Sequence, residues 1–434
     1  MAWLLTILLL PVFGLILYAV LGSRKFFSKH KKPIIKLPVI ENDTPHGFLG
    51  QSINNILNAN NLPGASQNNS IQTFITSNAA FDAFMHEIES AKTSIYIQTY
   101  IFELDNTGQA IFNALIKKAN EGLIVCLLLD AIGSFALYRN QKKLRPFINA
   151  GGHYAFFQPL FKSAINSQIN LRNHRKIYLF DSQTLLTGGM NISSDYLAPE
   201  TSTKPNKQWK DLLLKITGPS TLLYQNIFNA DWAYSTNTKV KPAISVDQKP
   251  ANTLNNHEII QVIPAGPDIE KDVLFEVILQ SIYSAKYRID IVSPYFIPDN
   301  SLMNAILVAI KRGVNVNLIT PNQSDHIIFD LGRSSYMREL YENGGKIHLD
   351  QSVMLHAKLM MIDDECVIIG SANLDYRSMF INHEIVNFIY SKTLISEMKT
   401  WINELVSQAK PYQSSAKKHH RLLENLTRIF APIL

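Results

Sequence analysis

The sequence predicts an α/β fold of two similar halves, each with a mixed, largely parallel sheet flanked by helices, plus an N-terminal transmembrane helix. Three observations carry this prediction. The segment HRKIYLFDSQTLLTGGMN at residues 174–191 recurs at 356–373 as HAKLMMIDDECVIIGSAN, with His, Lys, Asp, Gly and Asn at matching offsets. AKTSIYIQTYIF (91–102) and AKYRIDIVSPYF (285–296) both read as a helix end plus a strand, and each precedes a helical stretch, a Gly and an apolar strand, LIVCLLLD or VNVNLIT. Near-continuous apolar strands alternating with helices are the pattern of a sheet covered on both faces. Residues 2–22, AWLLTILLLPVFGLILYAVLG, are uncharged and almost wholly apolar. Such a run spans a hydrocarbon core of about 30 Å.

The elements follow in chain order. Residues 1–32 form the predicted span and its basic flank, SRKFFSKHKK, with no basic residue ahead of the apolar run. The positive-inside rule then puts the rest of the chain on the cytoplasmic side of a single span. A cleaved signal peptide would carry its charge before the apolar run. Residues 33–75, Asn-rich around 42–70, read as a linker. The first half occupies 76–240, a Lys-, Pro-, Thr- and Asn-rich connection 241–256, and the second half 257–410. In 411–434, Leu422, Leu423, Leu426, Ile429 and Phe430 share one side of an amphipathic helix that suits either an interface with anionic lipid or packing on the domain.

Composition sets bounds without choosing a function. At 434 residues and 46% hydrophobic, the chain can bury a large core in two domain-sized halves. A net charge of +6 suits anionic phospholipid and nucleic acid alike. The sequence contains no basic groove interleaved with aromatics, so nucleic acid is not the expected partner. Cys126 and Cys366 read as interior strand residues with no disulfide framework.

A lone HxKxxxxD is weak evidence, but a second copy with Gly and Asn at the same offsets is not accident. Positions i and i+2 of a strand share a face, which sets His174 beside Lys176 and His356 beside Lys358. Folding each copy about its polar turn as a hairpin brings His174 opposite Asn191 and His356 opposite Asn373. Gly188, Gly189 and Gly370 are expected to admit a charged group close to the backbone. Two facing hairpins supply two imidazoles, two ammonium groups and two amides, with no carboxylate cage for a metal. That set fits a phosphodiester: one imidazole attacks phosphorus, the other protonates the leaving alkoxide, and the cations balance phosphoryl charge. No metal or other cofactor is expected.

These residues resemble the paired HKD motifs of the phospholipase D superfamily, and the chain is similar to bacterial cardiolipin synthases of the phospholipase D type. The likeness extends through RNHRKIYLFD, TGGMNISSDY, WKDLLLKITGPS, VSPYFIPDN, GSANLDYRSMFINHE and LLENLTRIFAPIL. The resemblance implies a catalytic set of His174, Lys176, Asp181, His356, Lys358 and Asp363, in which the two aspartates rank lowest because they look structural. It implies Asn191, Asn373 and Ser371 on the substrate phosphate, and Asp211 and Glu384 orienting the histidines. Spacing does not say which histidine is the nucleophile; analogy assigns it to His174, with His356 as general acid and base. Two departures stand out: Gly189 occupies the place of Ser371, and His383 precedes Glu384 where the family often has Phe. The implied reaction joins two phosphatidylglycerol molecules into cardiolipin with release of glycerol, at the bacterial cytoplasmic membrane. Water as acceptor, giving a phospholipase D or nuclease, and a lipid-binding scaffold without catalysis are the alternatives.

Overall fold

The strands of the first half are β1 (Ala65–Phe74), β2 (Ser94–Thr99), β3 (Ile124–Asp130), β4 (His153–Phe157), β5 (Ile177–Phe180), β6 (Thr184–Gly188) and β7 (Leu213–Thr217). Those of the second are β8 (Glu258–Ala265), β9 (Arg288–Val292), β10 (Asn315–Pro321), β11 (Lys346–Asp350), β12 (Leu359–Ile362), β13 (Cys366–Gly370) and β14 (Glu384–Ile389). The longer helices are α1 (Phe48–Ala59), α2 (Ser77–Ser90), α3 (Asn106–Asn120), α4 (Ser220–Thr236), α5 (Val273–Ser284), α6 (Asn300–Lys311), α7 (Ile327–Glu342) and α8 (Lys392–Gln408). This computed structural model describes residues 7–8, 11–12, 14, 32–40, 42–43, 47–160, 169–199, 208–238, 258–413 and 428. The predicted connection 241–256 lies outside the described residues, as do nearly all of the predicted span at 2–22 and of the helix at 411–434. Among the described residues no helix is long and apolar enough to cross a membrane.

The halves do not form separate sheets. One 16-stranded sheet runs β11-β10-β9-β12-β13-β14-β8-β1-β7-β6-β5-β2-β3-β4, with short strands added beside it. The order reads alike from either end, and the halves meet at the antiparallel β1–β8 pair, where Ser66 faces Ile260. Strands joined through a helix pair in parallel, as in β2–β3 and β9–β10. The motif hairpins and their neighbours pair antiparallel, from β2–β5 through β7–β1. The sheet is therefore mixed, and the expectation of largely parallel pairing is corrected. A hairpin reverses direction at every turn, and each half devotes its inner strands to hairpin-like connections.

Local chemistry explains where helices start. The Asp105 carboxylate accepts from Gly108 N at 2.9 Å to open α3, and Asp299 accepts from Leu302 N at 2.9 Å to open α6. Buried β2 and β3 carry side chains covered on both faces, which is why they read as unbroken apolar runs. The larger core cluster crosses the seam, joining Leu179, Leu214 and Phe228 to Val262, Ile369 and Phe388.

The stretch 33–75 is not a linker where it is described beyond residue 47. It holds α1, whose Leu49, Ile53 and Leu57 are buried at helical spacing, and β1, the strand on which the halves join. Its asparagines are structural hydrogen bonders. Asn54 Oδ1 accepts from Ala65 N at 2.8 Å, and Asn69 Oδ1 accepts from Ser220 N at 3.0 Å. An Asn count alone does not separate solvated amides from buried ones.

Candidate active site

Both histidines lie at the seam, each just ahead of the first strand of its hairpin. Backbone hydrogen bonds between the halves place them: His174 N donates to His383 O at 2.9 Å, and His356 N donates to Lys210 O at 2.7 Å. These contacts carry each carboxylate to the histidine of the opposite half. Glu384 Oε1 stands 3.2 Å from His174 Nδ1, and Asp211 Oδ2 stands 2.7 Å from His356 Nδ1. Such a partner holds the proton on Nδ1 and leaves Nε2 with its lone pair. Asn382 Nδ2 adds contacts to Glu384 Oε1 at 3.3 Å and His174 Nδ1 at 3.5 Å.

The contacts made by the two carboxylates explain the motif departures. A Cβ at Gly189 would lie 2.2 Å from Asp211 Oδ1, so the shorter carboxylate needs glycine beneath it. At the matching place in the second motif, Ser371 Oγ donates to the longer carboxylate of Glu384 and accepts from Ile385 N at 3.0 Å. Ser371 is fully buried, and its hydroxyl is engaged with Glu384 rather than free for a ligand. Gly188 and Gly370 likewise serve packing rather than a ligand: a Cβ there would lie 2.3 Å from Leu212 O and 2.3 Å from Ile385 O respectively. His383 is accommodated by Asp268, 3.0 Å from its Nδ1, and by an edge contact with Phe157.

Asp181 and Asp363 stand away from the histidines, at the far turns of the hairpins. Asp181 Oδ1 accepts from Thr93 N at 2.7 Å and Ser94 N at 3.0 Å, and its Oδ2 from Lys92 N at 2.9 Å. Asp363 takes the N–H groups of Lys286, Tyr287 and Arg288 at 2.8–3.0 Å. They fasten the hairpins to the starts of β2 and β9, the structural place for which they rank below the histidines and lysines. Their left-handed φ values, 53° and 51°, also set a three-residue loop. The ladder pairs Phe180 with Thr184 and Ile362 with Cys366, one residue out of the register that would oppose His174 to Asn191 and His356 to Asn373.

The two lysines lie beside the histidines of their own motifs. Lys176 Nζ donates to His174 O at 3.0 Å, and Lys358 Nζ lies 2.8 Å from His356 Nδ1 and 3.0 Å from its Nε2. Asn191 Oδ1 accepts from Ile101 N at 3.2 Å, beside Tyr100, whose ring covers His174 at 4.1 Å. Asn373 is buried, with its backbone N–H on Ser378 Oγ. Tyr196 and Trp209 enclose His356 at 5.1 and 5.2 Å.

Burial dominates the electrostatics. It lowers His356 to about 4, helped by the Lys358 charge and opposed by Asp211. It also lowers Lys358 to about 7 against the pull of Asp211, and lowers Lys176 in spite of Glu384 and Asp211. Burial by itself would raise Asp211 and Glu384, but their cationic and hydrogen-bonding neighbours outweigh it and hold both below the usual carboxylate range. Beside His356 a cleft of about 600 Å³ opens between the halves, lined in part by Thr76, Trp209, Lys210, Val353 and Trp401.

Sequence reasoning missed the exchange of carboxylates between halves, the aromatic covers, and a buried cluster behind His174. In that cluster Arg175 contacts Asp231 at 3.0 Å and Asp268 at 2.8 Å, and Lys32 contacts both carboxylates. The only sequence signal was Arg175 at the variable position of HxK, where the second copy has Ala357.

A duplicated α/β unit with one HxK histidine from each copy at the seam defines the phospholipase D-like class. The family model described as "Cardiolipin synthase, PLD-like domain" matches residues 84–232 and 278–406, and the chain belongs to that family. Among curated relatives, a cardiolipin synthase of Listeria monocytogenes is 31% identical, covering 100% of this chain and 93% of the relative. One of Staphylococcus aureus is 32% identical over 100% of this chain and 91% of its own length. The crystal structure of phosphatidylserine synthase from Haemophilus influenzae matches in fold, with TM-score 0.61, 18% identity, and coverage of 84% of this chain and 93% of that one.

Proposed function

We propose that this protein is a membrane-bound phosphatidyltransferase that makes cardiolipin and glycerol from two phosphatidylglycerol molecules. The observation that carries the chemistry is the pair of histidines, each with Nδ1 held by a carboxylate of the other half. His174, whose side chain is 21% exposed against 10% for His356, is the nucleophile. Its Nε2 attacks phosphorus as the bond to the glycerol oxygen breaks, and His356 delivers a proton to that oxygen. A hydroxyl of the second phosphatidylglycerol then gives its proton to His356 and attacks the phosphohistidine, which frees His174. The free site keeps His356 neutral, so the charge of the bound phosphodiester is what raises its affinity for a proton. Lys176, Lys358 and the amides of Asn191 and Asn373 balance the phosphoryl oxygens. Full-length cardiolipin synthases among the relatives support the choice of a lipid hydroxyl as acceptor.

Residues 2–22 are taken as a single span with the catalytic halves on the cytoplasmic side, on the strength of the basic run that follows them. The test incubates full-length protein in EDTA with headgroup-labelled phosphatidylglycerol vesicles, beside His174→Ala. Cardiolipin and glycerol in equal amounts, both lost in the variant, is the expected result. Phosphatidic acid without cardiolipin would make water the acceptor, and loss of turnover in EDTA would overturn the metal-free chemistry.

A further inference from the structure

The segments that follow β3 and β10, which run from loop into the start of a helix, occupy matching places in the two halves, and both leave large apolar side chains in solvent. In the first half Ile132 is 39% exposed and Phe135 45%. In the second Ile327 is 78% exposed and Ile328 62%. Single exposed apolar residues are ordinary, but paired groups on two symmetry-related segments mark a surface built to be covered.

Both segments border the site. Ser134 Oγ donates to Tyr100 O at 3.0 Å and accepts from Phe102 N at 3.0 Å, which ties the first segment to the strand end whose Tyr100 covers His174. The second is tied to the equivalent strand end, where the Tyr295 hydroxyl donates to Asp325 and the Tyr295 ring packs on Phe329 at 4.5 Å. Asp325 in turn acts electrostatically on Lys358.

Charge identifies the occupant. Arg139, Lys142, Lys143 and Arg145 are exposed immediately after Phe135, and no Asp or Glu occurs from residue 131 through residue 180. On the first-half side, apolar side chains edged by cations match an anionic bilayer, in which the former enter the acyl boundary and the latter meet headgroup phosphates; on the second-half side the flanking Asp325 and Asp330 are engaged by Tyr295 and Arg333. We infer that the rim of the site docks on an anionic phospholipid surface through Ile132 and Phe135 on one side and Ile327 and Ile328 on the other, with the cations of residues 139–145 in the headgroup layer. The histidine site then faces the bilayer, and a lipid phosphodiester reaches it without leaving the membrane. This rests on the proposed lipid substrate for its purpose, though its first test does not.

That test places a polarity-sensitive thiol dye on Phe135→Cys, Ile328→Cys and, as a reference on the outer face of α6, Val308→Cys, in the full chain reconstituted into bilayers. Cys126 and Cys366 are buried and leave the dye to the introduced thiols. Emission at 135 and 328 shifted to the blue of that at 308, more strongly with phosphatidylglycerol than with phosphatidylcholine alone, is expected. Emission at 135 and 328 equal to that at 308 in phosphatidylglycerol bilayers overturns the docking surface whatever the activity. A second measurement compares turnover of vesicle and of monomeric short-chain phosphatidylglycerol by Phe135→Ser/Ile328→Ser. The ratio of vesicle to monomer rate falls about tenfold or more, the scale set by one large apolar side chain. An unchanged ratio also overturns the docking surface, whereas a wild type that turns over neither form overturns the function and not the docking.

Discussion

At the scale of single residues, the proposed mechanism relies on Asp211 and Glu384, each on the Nδ1 of a histidine of the other half, to present the right nitrogen. Asp211→Asn and Glu384→Gln keep the shape and lose the anion, so each is expected to lower kcat by about 10- to 100-fold or more with the fold intact. Circular dichroism beside steady-state rates checks this. Gly189→Ser drives a Cβ into Asp211 and is expected to impair turnover, and adding Asp211→Glu, which copies the pairing of Ser371 with Glu384, should recover part of it. The pKa shifts carry a direction for stability as well. An unfolded His356 takes up a proton near its ordinary 6.5, whereas the folded one resists until about 4. The unfolded state therefore binds more protons across that window, and stability falls as pH drops through it. Thermal melts between pH 4.5 and 7 should show this slope, and His356→Gln should flatten it. On the alkaline side, deprotonation of Lys358 above about 7 removes a charge proposed to bind phosphate, so KM is expected to rise there.

At the scale of elements, the motif hairpins separate chemistry from fastening. Their open ends bear His and Lys, and their turns bear Asp181 and Asp363, each holding three backbone N–H groups of a neighbouring strand. Asp363→Ala is expected to cost about 1–3 kcal/mol of stability, the scale for hydrogen bonds to a charged acceptor. Its kcat at low temperature should stay near wild type, and a large kcat loss without a fall in Tm would contradict the fastening role. Much of this level was legible in the sequence. The i, i+2 spacing of His and Lys, the apolar runs IYLF and LMMI, and the repeated strand, helix, strand order all recur in the fold. The register was not legible, because the residues that set the three-residue loop bond to segments some eighty positions earlier. For the same reason α1 and β1 were hidden: Asn54 and Asn69 find their partners only after the chain has folded.

At the scale of the whole molecule, the duplication announced two halves but not how they are joined. The seam is made by β1 and β8, by a core common to both halves, and by the buried ions Lys32, Arg175, Asp231 and Asp268. No pattern along the chain pairs residue 175 with residue 268. Arg175→Met would leave two buried carboxylates with one cation fewer, and is expected to destabilise the protein by about 3–5 kcal/mol. Denaturant unfolding checks it, and a change under about 1 kcal/mol would show that the cluster is not a stabilising tie. Either half expressed alone should be inactive, as assayed by phosphatidylglycerol turnover.

The exchange of carboxylates also bears on synthesis. A ribosome that has finished the first half has made His174 and Lys176 but not Glu384, while Asp211 waits for a histidine still untranslated. The nascent chain then holds no imidazole paired with its carboxylate. Reactivity toward the host's own lipids arrives only with the last third of the polypeptide, at the moment when the two copies close on one another.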